Sequence, residues 1–280
     1  MSTETSRHTP AVTELGQRYQ LPAGSQERFD KDGFVRLPGV LSPETIAAYE
    51  PEITDKVIER NTMHLPLPER STYDKAFLQV ENLWEHSATV REFVFAPRLA
   101  RIAAELLGVE AVALYHDQAL YKEAGGGITP WHADEFYWPF ATDRCCTVWV
   151  PLQETPAEMG PLAFSVGSQA FTFGRDLGIS DQSESELQRE LSAQGFPVYD
   201  EPYRLGDVSY HLGWTFHRAE PNRTEIPRRV MTVIYVDADM ELVEATNDNQ
   251  RSDYATWLPG LAPGDKPSGP RNPELYRRTG

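Results

Sequence analysis

The stretch AVALYHDQALYKE, Ala111 to Glu123, reads as one long β-strand, and the rest of the chain is organised outward from it. Val112, Leu114, His116, Gln118 and Leu120 recur with a period of two, which places them on one face of an extended chain. Gly125-Gly126-Gly127 break the strand, and Pro130-Trp131-His132-Ala133-Asp134 follow. On an extended strand His132 and Asp134, two apart, point the same way. An imidazole and a carboxylate on one face need one more ligand to make a two-histidine, one-carboxylate triad with open coordination positions, the arrangement of non-haem Fe(II) sites. His217, far downstream, supplies it if the fold lays its strand alongside. A solvated surface pair has the same HxD spacing, so the surrounding residues carry the decision.

Downstream, short apolar stretches separated by turns predict strands over Cys145–Leu152, Leu162–Val166, Asp207–His211, Trp214–His217 and Arg229–Asp237. No helix alternates with them, which favours an antiparallel barrel or jelly roll over a parallel sheet. Upstream, Ser42-Pro43 is a helix start, with serine as cap and proline in the first turn, and Pro51 is a candidate interruption. Leu99, Ile102, Ala103, Leu106 and Leu107 fall at helical spacing and Gly108 closes that helix. The expected architecture is mainly β: a double-stranded β-helix (jelly-roll, cupin-like) core behind a helical N-terminal layer. Residues 1–24 read as a flexible polar arm and 25–280 as a single domain. Within it, about 169–205 is a polar insertion with helical potential, either a solvated excursion or a lid. Lys56 to Asp74, polar and proline-containing, reads as including a surface loop, and the tail from Asn247 as an ordered wrap with little regular structure.

Composition narrows the partners. The 280 residues are 40% hydrophobic, enough for a sizeable core. With 26 Lys+Arg against 42 Asp+Glu the formal charge is −16, which argues against nucleic acid or an anionic membrane. Met1 to Pro10 lack the apolar core of a signal peptide, and no apolar run approaches the roughly 18 residues of a membrane helix. Cys145 and Cys146, adjacent and facing opposite ways on a strand, do not suit a structural disulfide, so a reducing cytoplasm is expected.

Arg228, eleven residues after His217, adds a planar guanidinium suited to gripping a carboxylate. With the HxD pair, the distal histidine and this arginine, the chain resembles the phytanoyl-CoA dioxygenase family, Fe(II)- and 2-oxoglutarate-dependent oxygenases on a jelly-roll core. The likeness runs from Phe29 to Tyr276. It includes Asp32-Gly33-Phe34-Val35, Leu37-Pro38-Gly39-Val40-Leu41, Trp149-Val150-Pro151-Leu152, Gly160-Pro161-Leu162, Gly206-Asp207-Val208 and Pro221-Asn222-Arg223. The resemblance implies Fe2+, 2-oxoglutarate and O2 as cofactor and co-reactants. It implies His132, Asp134 and His217 as iron ligands and Arg228 as partner of the distal carboxylate of 2-oxoglutarate. Thr129 and Trp149 match cosubstrate-pocket positions, and Gln118 is a candidate for the same cavity. Ala219 departs from relatives that carry a cosubstrate-binding serine there. Asp134 stands where halogenating relatives carry a small residue, which disfavours halogenation.

Other residues keep two readings at this stage. Trp138 and Phe136 either pack the barrel mouth or wall a substrate pocket. Lys122 either forms a salt bridge at the mouth or touches a substrate carboxylate. His116 and His211 read as core histidines satisfied by hydrogen bonds, and Arg229, facing away from Arg228 by alternation, as structural. The expected activity is oxidation, chiefly hydroxylation, of a C–H bond in a small-molecule metabolite of specialised metabolism, releasing succinate and CO2. A cupin-type metal hydrolase or isomerase, or a non-catalytic ligand-binding barrel, are the competing readings.

Overall fold

The computed structural model describes residues 9–278. Its N-terminal half is mostly helical: α1 (Thr9–Gly16), α2 (Ser25–Asp32), β1 (Phe34–Leu37), α3 (Pro43–Arg60), α4 (Thr72–Ala76), β2 (Leu78–Glu81), α5 (Ala88–Val94) and α6 (Pro97–Leu107). Then follow β3 (Ala111–Tyr121), β4 (Thr129–His132), β5 (Cys145–Pro151), β6 (Leu162–Ser165) and α7 (Asp181–Gln194). The chain ends with β7 (Val198–Tyr199), β8 (Val208–Leu212), β9 (His217–Ala219), β10 (Val230–Asp237), α8 (Asp248–Thr256) and β11 (Glu274–Arg277). Among the described residues no helix is long and apolar enough to cross a membrane.

Two antiparallel sheets form the jelly roll. The larger runs β1-β8-β5-β10-β3-β11, with β2 also paired to β3; the smaller runs β4-β9-β6-β7. The outer face of the large sheet is apolar. Val35, Leu37, Val148, Val150, Val208, Tyr210, Met231 and Val233 pack there against Ile46, Tyr49 and Ile53 of α3 and Leu99, Ile102 and Leu106 of α6. The helical layer therefore exists to cover that face, and the inner face, facing the small sheet, is left free to carry polar groups.

Local chemistry explains most elements. Ser42 caps α3 by accepting from the Thr45 N–H at 3.1 Å. Pro51 does not interrupt α3, which runs unbroken to Arg60: Ile46, Tyr49, Ile53 and Val57 are buried along one face, and that packing offsets the one backbone bond a proline removes. Gly108 closes α6 in the left-handed region, φ 67°, as its position after the last apolar residue requires.

Several expectations are corrected. Val112, Leu114, His116, Gln118 and Leu120 do not share a face. The β3–β10 register shifts between Val233 and Tyr235, so a bulge at Tyr115–His116 reverses the alternation. Val112 and Leu114 thus point outward into the helical layer, while His116, Gln118 and Leu120 point inward. The strand expected over Trp214–His217 instead begins at His217. The tail is not irregular: Asn247 caps α8, accepting from the Gln250 N–H at 2.9 Å. That helix buries no residue of its own, so no apolar period announced it. The stretch Lys56 to Asp74 does include a loop, between the end of α3 at Arg60 and the start of α4 at Thr72.

Residues 1–8 of the expected arm lie outside the described residues. Near the end of α1, Leu15 is buried, and the Glu14 carboxylate accepts from the N–H and hydroxyl of Ser42. In the segment about 169–205, α7 backs the small sheet. Leu187 and Leu191 pack on Trp131, Ala133 and Phe216, and Glu184 and Gln188 accept from the backbone and indole N–H of Trp131 at 2.7 and 2.8 Å.

The loop from β9 to Arg228 is pinned by one side chain. Asn222, buried, donates to the carbonyls of Lys122, Glu123 and Ile226 and accepts from Thr224. Replacing it by alanine strands several buried groups, each worth about 1 kcal/mol net. Asn222→Ala is expected to lower the unfolding free energy by about 2–4 kcal/mol in denaturant titrations. A loss under about 0.5 kcal/mol would show that the loop holds without it.

Candidate active site

β4 and β9 pair so that His132 stands directly opposite His217, ring centroids 4.1 Å apart. β4 ends at His132 and Asp134 opens a single 3-10 turn, so the pair does not lie on one strand as expected. Ala133 between them is still extended, φ −124° and ψ 133°, which keeps both side chains on the inner face. Nε2 of His132 and of His217 lie 3.7 and 3.5 Å from Oδ1 of Asp134. Donors at these separations can be spanned by one ion with bonds of about 2.1 Å.

Each donor is oriented from behind. The Nδ1–H of His132 donates to the Pro130 carbonyl at 2.7 Å, and that of His217 to the Thr215 carbonyl at 2.9 Å. Both tautomers are thereby fixed with Nε2 free to coordinate. Burial depresses the pKa of both rings, His217 well below the ordinary value, so they stay neutral. The second oxygen of Asp134 accepts from Thr147 Oγ1 at 3.1 Å and His211 Nε2 at 3.2 Å. Burial works against the charge of Asp134, but His217, His211 and His132 around it hold the carboxyl well below the usual carboxylate range.

The triad opens into a cavity of about 270 Å³ between the two sheets. Leu120, Thr129, Trp149, Leu162, Ala219 and Arg228 line one end, and Gln118 lines the same inner face opposite Glu81 of β2. Arg228 is 2% exposed; its Nη1 donates to the Gly160 carbonyl at 2.5 Å and its guanidinium lies 5.4 Å from the Trp149 ring centroid. Gly160 is left-handed (φ 68°) and a Cβ there would meet the Glu220 carbonyl at 2.1 Å, so only glycine fits. Nε of Arg228 has no partner, and among the described residues no carboxylate lies within 4.0 Å of it. Burial pushes its pKa down to about 10. A buried cation without a counter-ion is costly unless an anionic ligand supplies one.

The family model for phytanoyl-CoA dioxygenase (PhyH) matches residues 29–230, well over half of the chain. The chain belongs to the phytanoyl-CoA dioxygenase family. A curated protein of Stutzerimonas stutzeri, "Probable alpha-ketoglutarate-dependent hypophosphite dioxygenase", is 22% identical over 233 residues, covering 78% of this chain and 79% of that one. Among solved structures, the epimerase SnoN with Fe3+, alpha ketoglutarate and nogalamycin RO is 25% identical at a TM-score of 0.74, covering 96% of this chain and 100% of that one. The carbocyclase SnoK from nogalamycin biosynthesis is 24% identical at a TM-score of 0.75, covering 93% and 100%.

As a member of the phytanoyl-CoA dioxygenase family the chain is a 2-oxoglutarate-dependent non-haem iron dioxygenase, with Fe(II), 2-oxoglutarate and O2 as its cofactor and co-reactants. The donor set fits that metal: two neutral imidazoles and one carboxylate on one face. The uncompensated Arg228 fits a dicarboxylate cosubstrate.

Of the residues expected around this site, Thr129, Trp149, Gln118 and Trp138 line the cavity, and Phe136 and Lys122 do not. Phe136 lies within the 3-10 turn, whose period of three sends Tyr137, three after Asp134, to the cavity instead; Trp138, extended just beyond the turn, lines it too. Lys122 is fully buried rather than at a mouth. Its Nζ donates to the Gly127 carbonyl and, at 3.2 Å, to Thr129 Oγ1, and its backbone pairs with that of Arg228. Arg229 points outward to Glu50 and Gln153.

His211 is a buried histidine held by a hydrogen bond, as expected, but its partner is Asp134; it and His116 both line the cavity, and each keeps an unpartnered Nδ1. Sequence reasoning also missed Thr147, although it sits two before Trp149 on the same inner face, and the distant Tyr73, Gln79, Glu81, Asp253 and Trp257, which no motif joins.

Burial, and then the neighbouring charge of Arg228, push the Lys122 pKa down to about 6. Between about pH 6 and 10.5 the unfolded chain therefore holds a proton on Lys122 that the folded chain does not, and stability rises with pH. Lys122→Met, without cosubstrate, is expected to gain on the parent by about 1.4 kcal/mol per unit as pH falls from 9 to 7. A stability difference independent of pH would show that Lys122 is charged in the fold.

Proposed function

We propose that this dioxygenase hydroxylates a C–H bond of a small-molecule metabolite, in specialised metabolism, with His132, Asp134 and His217 holding iron and Arg228 holding the distal carboxylate of 2-oxoglutarate. The reading takes residues 25–280 as one dioxygenase domain. One observation carries it: a single cavity holds both a His/Asp/His donor triangle and a buried guanidinium that no protein carboxylate neutralises. Similarity to two enzymes whose names place them in, or with a ligand of, nogalamycin metabolism supports the specialised-metabolism clause.

Bound together, iron and 2-oxoglutarate supply the oxidising power: the keto-acid loses CO2 and becomes succinate with one atom of O2, and the other atom becomes the substrate's hydroxyl. The chain's own residues prepare for this. The Pro130 and Thr215 carbonyls hold both imidazoles in the coordinating tautomer, and Thr147 with His211 reserves one oxygen of Asp134 so that the other faces the imidazoles. Lys122 positions Thr129 and, through the shared bridge, Arg228. Trp149, Leu162 and Ala219 give the cosubstrate end an apolar wall that strengthens its one charge pair. Tyr73, Phe77, Tyr137, Trp138 and Trp257 wall the other end and limit water at the reacting carbon.

Anaerobic addition of Fe(II) and 2-oxoglutarate is expected to give a weak visible charge-transfer band. Asp134→Ala should abolish it. Arg228→Ala should raise the 2-oxoglutarate concentration needed by about 30-fold or more, because truncating one partner of a buried charge pair costs about 2–5 kcal/mol. No band from the parent at saturation would overturn the ligand assignment. A product lacking an oxygen atom from labelled O2 would replace hydroxylation with epimerisation or ring closure.

A further inference from the structure

The cavity is electrically divided. Arg228 is the one lysine or arginine on its wall among the described residues, and it sits at one end. Lys122, which pairs with Arg228 just beyond the end of β3, is six residues from His116, roughly 20 Å of extended chain at about 3.3 Å per residue. At the His116 end the wall carries two carboxylates, Glu81 of β2 and Asp253 of α8. Each has a neutral donor on one oxygen: Gln79 Nε2 to Glu81 Oε1 at 3.1 Å, and the Tyr115 hydroxyl to Asp253 Oδ2 at 2.6 Å. Among the described residues neither has a cation within 4.0 Å.

Beside them, His116 is 3% exposed, lines the same cavity, and has no partner for Nδ1. Its ring stacks on Trp257, centroids 4.9 Å apart and planes 24° from parallel. Trp138, Tyr73 and Phe77 complete an aromatic surround. Partial burial raises both carboxyls, Asp253 to about 7 with Glu81 adding to the effect, so each half-buried group lacks the compensation its charged form requires. A neutral or anionic guest would leave that deficit in place. A guest cation would remove it, and would gain further from the faces of the indole rings.

We propose that this end of the cavity receives a protonated amine, held between Glu81 and Asp253 against Trp257. The substrate of the dioxygenase is then an amine with an aromatic or apolar body, whose oxidised carbon lies toward the His132–Asp134–His217 triad. The inference rests on the oxygenase reading above for its chemistry, but not for the binding itself.

The test uses three matched probes: 2-phenylethylamine (cation), 2-phenylethanol (neutral) and 3-phenylpropanoate (anion). Binding is measured by calorimetry to the full chain loaded anaerobically with Fe(II) and 2-oxoglutarate, and to the metal-free chain. The amine should bind at least about tenfold more tightly than the alcohol, with the carboxylate weaker still, in both forms. Glu81→Gln with Asp253→Asn should bring amine and alcohol within about twofold while leaving 2-oxoglutarate affinity unchanged, which also shows that the variant folds; Glu81→Gln alone should lose at least about threefold. Equal binding of the three probes, absent binding included, or a preference that survives the double substitution, overturns the proposal. Because the metal-free chain reports the preference too, a missing charge-transfer band would sink the iron assignment without touching this result.

Discussion

The antiparallel pairing of β4 with β9 sets His132 directly against His217, and the rest of the site inherits its position from that register. A slip of one residue would turn an imidazole to the outer face of the small sheet, where Trp131 and Phe216 already lie under α7. The apolar packing of Leu187 and Leu191 on those residues therefore does more than bury area. It penalises a one-residue slip in either direction, which would turn an imidazole outward. The two backbone carbonyls behind the rings then convert a strand register into a coordinating geometry.

The helical layer and the cavity are two consequences of one sheet. Because α3 and α6 cover the outer face of the large sheet with aliphatic side chains, its inner face is free to carry Gln118, Thr147, Trp149, His211 and Thr232. The bulge at Tyr115–His116 joins the two regimes on a single strand. Before it, β3 feeds Val112 and Leu114 to the helices; after it, the same parity delivers His116, Gln118 and Leu120 to the cavity. At the end of that strand Arg228, a buried cation whose neighbour Lys122 is held neutral, leaves the site short of negative charge where a dicarboxylate would lie. At the other end Glu81 and Asp253 leave it short of positive charge.

How much of this the sequence shows depends on distance along the chain. The HxD pair, His217 and Arg228 are legible because residue type, spacing and strand alternation place them, and because the resemblance to a family gives each a counterpart. The α6 helix is legible because its apolar residues fall at helical spacing, and strands such as β5, buried at every position, because they are short apolar runs between turns. The β3 bulge is not, since nothing in AVALYHDQALYKE marks where one extra residue will be taken up. Helix α8 is not, since it buries nothing. Asp253 and Trp257 reach the cavity by the path of the tail around the barrel, and His211 reaches Asp134 by cross-strand pairing with Thr147. These are tertiary facts with no local signature, which is why two histidines that read as ordinary core residues turn out to face the cavity.

The most direct measurement of the central claim is anomalous diffraction at the iron edge from crystals grown anaerobically with Fe(II) and 2-oxoglutarate. The account requires one strong peak about 2.0–2.2 Å from Nε2 of His132, Nε2 of His217 and an oxygen of Asp134, with the cosubstrate's far carboxylate against Arg228. A peak held by other residues, or a cosubstrate turned away from Arg228, would contradict it.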